Sequence, residues 1–354
     1  MNVPVKPLPA GDLDHVFAQT RELWPGASGQ SFFITGGTGF FGRWLLESFA
    51  RANDRLALGM RATVLTRDPA AFARSAPHLT GRADIACVQG DLRTFAFPAG
   101  RFDHLIHAAA DTAVWTQGKA ADGLIDAITA GTRRLLDFAA AAGVKNLLLV
   151  SSGAVYGQQP AELAGLSEDF PGKPDPRLPG SIWGEGKRLA EHLCTTRAAR
   201  DGCAVKIARC FSFVGPLLPL DAQFAVGNFI RDALSGGPIR VNGDGTTVRS
   251  YLYAGDLAVC LWTLLFKGVP GRAYNVGSGD ASTIAELARL VAAELCPGAT
   301  VEFASAPVPG RPPSRYVPDV SRLATEFGWS ATVPLRDSIR QTAAWFGSSG
   351  TVNP

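Results

Sequence analysis

The sequence has little of what marks a disulfide scaffold or a metal site. Its six cysteines are scattered over 354 residues without a CxxC pair, which predicts buried, reduced thiols rather than disulfides. The five histidines show no HExxH or HxxxH spacing, so we expect no metal. Cysteine usage of this kind is typical of the cytoplasm, and we predict that location.

Long apolar runs and an excess of charge of one sign are also missing. No stretch approaches the roughly 18 apolar residues that span a membrane, and the N-terminus lacks the basic start and apolar block of a secretion signal. The 34 basic and 31 acidic residues leave a net charge of +3, with no clustered basic face for a nucleic acid. The sequence therefore predicts a soluble protein that binds neither a nucleic acid nor a membrane.

What the sequence does contain is an alternation of short apolar runs with helical patterns. The runs that predict strands are SFFIT (31–35), ATVLT (62–66), ADIACV (83–88), FDHLIHAA (102–109), KNLLLVSS (145–152) and AVKIAR (204–209). Helical patterns such as FFGRWLLESFARAND lie between them. This alternation predicts an α/β fold with a Rossmann-type doubly wound parallel sheet.

Composition divides the chain into three parts. Residues 1–30, with a Pro-rich start and a short helix, look like an appended segment. Residues 31–215 carry the strand–helix alternation and predict the dinucleotide-binding domain. Beyond them the loops lengthen, so 216–354 is predicted to be mainly a smaller C-terminal substrate-binding lobe, with 250–280 returning to the sheet domain.

Three glycines follow the first predicted strand with GxxGxxG spacing and lead into a helix. Gly36, Gly39 and Gly42 allow a tight turn, close approach of the backbone to a pyrophosphate, and close packing of helix on strand. The helix N-terminus adds unpaired N–H groups and the positive end of its dipole. We predict a dinucleotide cofactor here, with Phe40 and Phe41 among its contacts.

The end of the second predicted strand bears on the choice between NAD and NADP. An acidic residue there suits the ribose of NAD, whereas an arginine suits the additional phosphate of NADP. Arg67 precedes Asp68 in LTRDP, and Arg43 lies just beyond the glycine turn. The two arginines slightly favour NADP. The alternative is that both are solvated surface residues.

Nine short motifs follow one another along the chain. They are GGTGFFG (36–42), GDL (90–92), HAAA (107–110), SSGAVYG (151–157), GKRLAE (186–191), RCFSFVGP (209–216), VRSYLYAGDLA (248–258), YNVGSG (274–279) and RYVPDVSRLATEFGW (315–329). In this order they resemble the extended short-chain dehydrogenase/reductases of the nucleotide-sugar epimerase/dehydratase family, over roughly residues 31–345. The resemblance implies a homodimer that binds NAD(P) and a nucleotide-diphosphate sugar.

The resemblance implies roles for residues of the cofactor site. Asp91 and Leu92 would hold the adenine ring, and Ala108 and Ala109 would line the cofactor near its ribose. Lys187 matches the family lysine that binds the nicotinamide ribose and lowers the pKa of a neighbouring phenol.

A second group of residues would meet the substrate. Ser152 matches the family's catalytic Ser/Thr, which hydrogen-bonds the reacting sugar oxygen. Arg249 matches a contact to the nucleotide diphosphate, and Asn228 and Arg315 are weaker candidates for the same role. Paired arginines suit a diphosphate because the guanidinium fork matches its oxygens.

Three departures from the family pattern bear on the chemistry. Gly153 and Ala154 stand where 4,6-dehydratases carry Asp-Glu, which argues against that elimination. Ser212 replaces a usual asparagine and alters one ligand contact. Trp183 stands where the family has the catalytic tyrosine that moves a proton beside Lys187, and an indole has no titratable proton in this range.

Three accounts of Trp183 are open: an engineered substitution, a natural residue with another group moving the proton, or a binding homologue without turnover. The groups considered for the proton are Ser152, Glu185, Asp111 and a water molecule. His107 and Tyr156 are expected to serve positioning and packing rather than acid–base chemistry.

The sequence thus predicts an NAD(P)-dependent enzyme that oxidises a ring carbon of a nucleotide-activated sugar transiently, as an epimerase does. One alternative is an NADP-dependent ketoreductase, which would consume NADPH. The other is a catalytically silent protein that binds the dinucleotide and the sugar nucleotide. The nucleotide and the sugar are left open.

Overall fold

The computed structural model describes residues 5–109 and 121–347. Ala110 of the HAAA motif and Asp111, one of the groups considered for proton transfer, lie outside the described residues. Within them, no helix combines the length and the apolar character that crossing a membrane requires.

The chain divides into two compact units. The first unit comprises the described residues of 1–155, 174–209 and 258–274, and the second those of 156–173, 210–257 and 275–354. The sequence prediction instead placed its main boundary at residue 215.

The described residues form fourteen strands and eleven α-helices. The strands are β1 Ser31–Thr35, β2 Arg61–Thr66, β3 Ile85–Gln89, β4 His104–His107, β5 Asn146–Ser152, β6 Ala204–Cys210, β7 Phe213–Val214, β8 Ile239–Val241, β9 Val248–Ser250, β10 Leu252–Tyr253, β11 Ala273–Val276, β12 Ala281–Thr283, β13 Val301–Phe303 and β14 Arg315–Tyr316. The helices are α1 Ala10–Thr20, α2 Phe40–Leu56, α3 Pro69–Ser75, α4 Pro77–Thr80, α5 Ala121–Ala142, α6 Ile182–Asp201, α7 Ala225–Leu234, α8 Ala254–Lys267, α9 Ile284–Leu295, α10 Ser321–Phe327 and α11 Leu335–Gly347.

A seven-stranded sheet has the order β3–β2–β1–β4–β5–β6–β11. The pairs β1–β2, β2–β3, β1–β4 and β4–β5 are all parallel. Each of the six predicted strands is present, with both ends within two residues of the prediction. The prediction of an α/β fold with a doubly wound parallel sheet is therefore confirmed. Strand β11 was not predicted.

Helices pack on both faces of the sheet at its centre, which explains why β1 is buried and apolar almost throughout. Neighbouring residues of β1 point to opposite faces because side chains alternate along a strand. The Phe32 ring lies 5.4 Å from that of Phe49 in α2, and the Phe33 ring lies 4.4 Å from that of Phe138 in α5. One strand thus anchors a helix on each side of the sheet.

The N-terminal segment packs on the first unit. Arg55 of α2 donates to Asp14 of α1 at 3.1 Å, and the backbone N–H of Leu8 donates to Glu47 at 2.8 Å. The buried Trp24 ring meets that of Trp262 in α8 edge-on at 4.6 Å. These contacts tie residues 5–30 to α2 and α8.

In the second unit, β9 is the middle strand of a small three-stranded sheet. It pairs with β12 in antiparallel and with β14 in parallel orientation. The next helix, α9, begins at a capping box in which Thr283 accepts from the Glu286 N–H and Glu286 accepts from the Thr283 N–H. This cap ends β12 and fixes the start of α9.

Two buried histidines of β4 make the stability of the protein depend on pH. Burial lowers the pKa of His104 to about 4 and that of His107 to about 3. A lowered pKa means that the unfolded chain takes up protons at a pH where the folded chain does not. We therefore expect the free energy of unfolding to fall as the pH decreases from 6.5 towards 4, by about 1.4 kcal/mol per pH unit for each histidine.

Chemical denaturation at several pH values checks this expectation. His104→Gln should remove about half of the histidine-dependent slope. The matched control is His192→Gln, at an exposed position on α6, which should leave the slope unchanged. Equal slopes for His104→Gln and the unaltered protein would contradict the assignment.

Candidate active site

The glycine turn joins the end of β1 to the start of α2. Gly36 has φ of +74°, a conformation that residues with a side chain resist. The Gly39 N–H donates to the Gly36 carbonyl at 3.1 Å and closes the turn. Gly39 is also the N-cap of α2, and no side chain among the described residues caps this helix. The N–H groups of the first turn can therefore bind a phosphate.

Two of the three glycines have no room for a side chain. A Cβ on Gly36 would lie 2.5 Å from the carbonyl carbon of Ala108, and one on Gly42 would lie 2.1 Å from the carbonyl oxygen of Gly36. On Gly39 the nearest atom would be an ordinary 3.5 Å away. The strand order reverses between β1 and β4, which is where doubly wound sheets bind their ligands. A dinucleotide therefore fits the turn and its surroundings.

Thr35 and His107 link the ends of β1 and β4 at this reversal point. Thr35 Oγ1 lies 2.8 Å from His107 Nδ1 and accepts from the Ala109 N–H at 3.3 Å. The Ala108 N–H donates to the Thr35 carbonyl at 3.1 Å. Burial, with a smaller effect of Lys187, lowers the pKa of His107, so its ring is neutral at pH 7. The neutral ring holds the two strand ends together.

Arg43 is directed into the protein and braces the glycine turn. Its guanidinium donates to the Ser75 hydroxyl at 2.6 Å and the Ser75 carbonyl at 3.3 Å, and its Nε donates to the Thr38 carbonyl at 3.2 Å. The turn is thereby tied to the C-terminal end of α3. The half-buried rings of Phe40 and Phe41 lie 5.6 Å apart at the start of α2.

The residues expected near the adenosine half of the cofactor follow β2 and β3. Arg67 is exposed, and Asp91 accepts from Arg93 at 2.8 Å. This hydrogen bond, with a smaller electrostatic effect of Arg67, lowers the pKa of Asp91 to about 2. Leu92 packs against Gly131 of α5, where a Cβ would lie 2.7 Å from the leucine side chain.

Strand β5 and helix α6 bring together the residues expected to do chemistry. Ser152 Oγ accepts from the Ala154 N–H at 3.1 Å, which leaves its O–H able to donate. The buried Lys187 Nζ donates to the Val150 carbonyl at 2.9 Å. One helical turn earlier, the Trp183 ring centroid lies 5.1 Å from the same Nζ, a cation–π contact. The ammonium is thus held by β5 and by the indole.

Two further polar groups, one considered for proton transfer and one expected to serve packing, are engaged elsewhere. Glu185 lies 3.9 Å from Arg188 at the helix surface. In the second unit, the buried Tyr156 hydroxyl donates to Asn275 Oδ1 at 2.7 Å. Ser152 lies on β5, the strand whose Val150 carbonyl accepts the hydrogen bond from Lys187.

In the second unit, Arg249 is a half-buried cation with no carboxylate partner among the described residues. Its Nη1 donates to the Val248 carbonyl at 3.0 Å, and its guanidinium carbon lies 5.5 Å from the centroid of the Tyr316 ring on β14. Burial lowers the pKa of Arg249, and the neighbouring tyrosines oppose this effect. A half-buried guanidinium without a carboxylate is suited to an anionic ligand.

The other two candidate substrate residues lie in the same unit. Arg315 stands opposite Val248 on the strand next to β9, and its Nη2 donates to the Ala164 carbonyl at 3.3 Å. Its buried Nε has no hydrogen-bond partner in the described part of the chain. Asn228 on α7 accepts from Arg231 at 3.4 Å. The two arginines are thus on adjacent strands, and the asparagine is on a separate helix.

Two residues of these networks were not singled out from the sequence. Tyr316 lies next to Arg249 because β14 pairs with β9, and this register cannot be read from the spacing of residues in the sequence. Glu191 lies four residues after Lys187 and accepts from Ser151 and Arg209. Its i,i+4 spacing from the lysine was the signal that could have identified it.

The sequence and the fold were compared with known proteins. A sequence model described as the NAD dependent epimerase/dehydratase family matches residues 32–277. The chain is 29% identical over 314 residues to UDP-glucuronic acid decarboxylase 1 of Xenopus tropicalis, covering 88% of this chain and 71% of that protein. It is 28% identical over 352 residues to the probable dTDP-glucose 4,6-dehydratase of Sinorhizobium fredii, covering 90% and 93%.

The fold of the chain is also similar to that of a solved epimerase structure. The UDP-glucose 4-epimerase of Thermus thermophilus, in complex with NAD, superposes with a TM-score of 0.73 at 25% sequence identity. The match covers 91% of this chain and the whole of that one. The matched family segment includes the glycine turn, β5 and α6.

The glycine turn yields a paired test. Gly42→Ala should lower the free energy of unfolding by about 1–3 kcal/mol, because the methyl group overlaps the Gly36 carbonyl. It should also weaken dinucleotide binding, since relief of the overlap must open the turn. Gly39→Ala, whose methyl group has room, should change neither quantity by a comparable amount. Calorimetric titration with NAD and thermal unfolding check both variants, and equal losses would refute the steric explanation.

Proposed function

Because this chain belongs to the NAD dependent epimerase/dehydratase family, we propose that it acts on a nucleotide-activated sugar by transient oxidation at a ring carbon. The observation that carries the proposal is the placement of Ser152 and Lys187 about the end of β5, in the unit that contains the glycine turn. Hydride exchange with a sugar carbon needs a group that orients the reacting oxygen and a group that orients the cofactor.

The proposed substrate is a nucleoside-diphosphate sugar. The relatives are named for UDP-glucuronic acid, dTDP-glucose and UDP-glucose, which share a diphosphate between base and sugar. Arg249 supplies a guanidinium group for such a diphosphate, whereas the register pairs Arg315 with Val248 and so places Arg315 on the opposite face of the small sheet. Gly153 and Ala154 carry no acid–base group for a 4,6-elimination, so we favour epimerisation or a related rearrangement.

The proposed cofactor is NAD. The sequence argument for NADP depended on Arg43 and Arg67, and Arg43 is bound to Ser75 and Thr38. Of the two arginines, only Arg67 still supports the sequence argument for NADP. The family description and the epimerase from Thermus both name NAD. A homodimer is proposed on the family resemblance, and the exposed Leu189 on α6 is compatible with it.

The chain's own residues have distinct roles in this proposal. When bound, NAD supplies the acceptor and later the donor of the sugar's hydride. The first turn of α2 binds its phosphates, and Lys187 binds its nicotinamide ribose. Ser152 donates its O–H to the reacting sugar oxygen, while the Ala154 N–H holds the serine oxygen in place.

Residue 183 decides how fast such chemistry can proceed. A tyrosine there would exchange a proton with the sugar oxygen, whereas the Trp183 indole has only a non-titrating N–H. This observation favours a second candidate function, in which the chain binds NAD and the sugar nucleotide with little or no turnover. The two candidates share their ligands and differ in rate.

The Trp183→Tyr variant distinguishes the two candidates. We expect this substitution to raise turnover about 10²- to 10⁴-fold, because it supplies a positioned acid–base group beside the Lys187 ammonium. Both proteins would be incubated with UDP-, dTDP-, CDP- and GDP-sugars and with NAD or NADP. Products would be identified by NMR and mass spectrometry.

Trp183→Phe is the matched control, since it removes the indole without supplying a hydroxyl. It should stay as slow as the unaltered chain. If the unaltered chain already matches the tyrosine variant, another group moves the proton and the assignment of position 183 is wrong. In a parallel reaction supplied with NADPH, its net consumption would instead identify a ketoreductase.

The role of Arg249 is tested by ligand affinity. Arg249→Ala should raise the Kd for UDP or dTDP about 10- to 100-fold, because it removes a charged hydrogen bond to the diphosphate. Arg240→Ala is the matched control, since Arg240 is exposed on β8 of the same unit and lies 3.7 Å from Glu302. Calorimetric titration measures both variants, and an unchanged Kd for Arg249→Ala would contradict the assignment.

A further inference from the structure

A buried carboxylate in α6 joins three elements of the first unit. Glu191 accepts from the Ser151 hydroxyl at 2.5 Å, and its other oxygen accepts from Arg209 Nη2 at 2.7 Å. Arg209 Nε lies 3.1 and 3.2 Å from the two carboxylate oxygens. The side chains of Glu191 and Arg209 are 10% and 18% exposed. Helix α6 is thereby connected to β5 and β6.

This carboxylate lies one helical turn from Lys187, on the same helix face. Lys187 donates to the carbonyl of Val150, and Glu191 accepts from the hydroxyl of Ser151. Val150 and Ser151, which are consecutive in β5, thus form hydrogen bonds with side chains on two consecutive turns of α6. The next residue of the strand is Ser152.

Two side-chain contacts at this spacing fix how α6 sits along β5. A slide or a rotation of the helix would break both contacts at once. The position of α6 along β5 also sets the distance between Ser152 on the strand and Lys187 on the helix. It also sets the position of residue 183, which lies a further turn back on α6.

Stability alone does not explain why this connection is ionic. Apolar side chains of similar size in place of a buried ion pair are often neutral or stabilising, and in some proteins a buried charged group serves to specify one arrangement. The ring of contacts around Glu191 uses both carboxylate oxygens. It therefore specifies position more strongly than apolar packing would.

Resting on the proposed function, we infer that Glu191, with Ser151 and Arg209, is a positioning residue for the cofactor-binding lysine. Its carboxylate sets the register of α6 against β5, and through it the place of Lys187 relative to Ser152. Glu191 touches neither cofactor nor substrate in this role. Its removal should therefore affect binding of the dinucleotide and leave binding of the nucleoside diphosphate intact.

The test compares affinities in the full-length chain. Glu191→Gln keeps the shape of the side chain and removes its charge. We expect this substitution to raise the Kd for NAD about 10-fold, because a displaced Lys187 would lose one charged hydrogen bond to the nicotinamide ribose. The Kd for UDP or dTDP should stay unchanged. Ser151→Ala removes one contact of the same network and should give a smaller shift in the same direction. Ser151→Ala also provides the test if Glu191→Gln folds poorly.

Glu168→Gln is the matched control. Glu168, in the second unit, is 3% exposed and lies 3.6 Å from Arg322, so its loss tests the effect of disturbing a buried ion pair as such. It should lower the melting temperature to a similar degree without changing the Kd for NAD. If Glu191→Gln lowers the melting temperature and leaves the NAD affinity unchanged, Glu191 is structural only and the inference is overturned.

A second readout uses the Trp183→Tyr background. The pKa of a phenol at position 183 depends on how close the Lys187 ammonium lies. Adding Ser151→Ala, which removes a contact of Glu191 without changing the charge near the phenol, should therefore shift the rise of the pH–rate profile to higher pH, whereas a purely structural role would leave it in place. Failure of the unaltered chain to bind NAD at all would refute the proposed function instead, so the two failures can be told apart.

Discussion

The close contact between the glycine turn and the backbone after β4 is the constraint on which the cofactor site depends. Gly42 meets the carbonyl of Gly36, and Gly36 meets the backbone of Ala108, at separations that leave no room for a Cβ. Helix α2 can therefore begin at only one place relative to β1 and β4. Its uncapped N–H groups are fixed before any ligand arrives, so a dinucleotide phosphate would bind without the entropic cost of ordering a loop.

The second half of the site is held by side chains rather than by backbone packing. Lys187 and Glu191 connect α6 to β5, and Arg209 connects the same helix to β6. The backbone contacts of Gly36 and Gly42 leave no room for a side chain, whereas this network can be changed one group at a time. In the proposed function, the binding of phosphates and the orientation of the nicotinamide end thus rest on separate physical interactions within one unit.

The sequence predicted those features that depend on local pattern. The strands were found within two residues because parallel strands buried on both faces are apolar throughout. Features that depend on distant partners were missed: β11 joins the sheet beside β6, and Arg43 turns to Ser75, whose place is set by α3. The roles of Ser152, Arg249 and the other assigned residues stay predictions, because they concern ligands and not the chain alone.

Trp183 need not disturb the orientation of a cofactor. Lys187 is held by the Val150 carbonyl, a backbone group that residue 183 does not supply. The indole adds a cation–π contact at 5.1 Å, which compensates part of the cost of burying the ammonium. Proton transfer and cofactor orientation are therefore separable here: the first requires a titratable group at position 183, and the second does not. In the proposed function, a site with an indole at position 183 and a buried cation at position 187 therefore still binds and orients the dinucleotide.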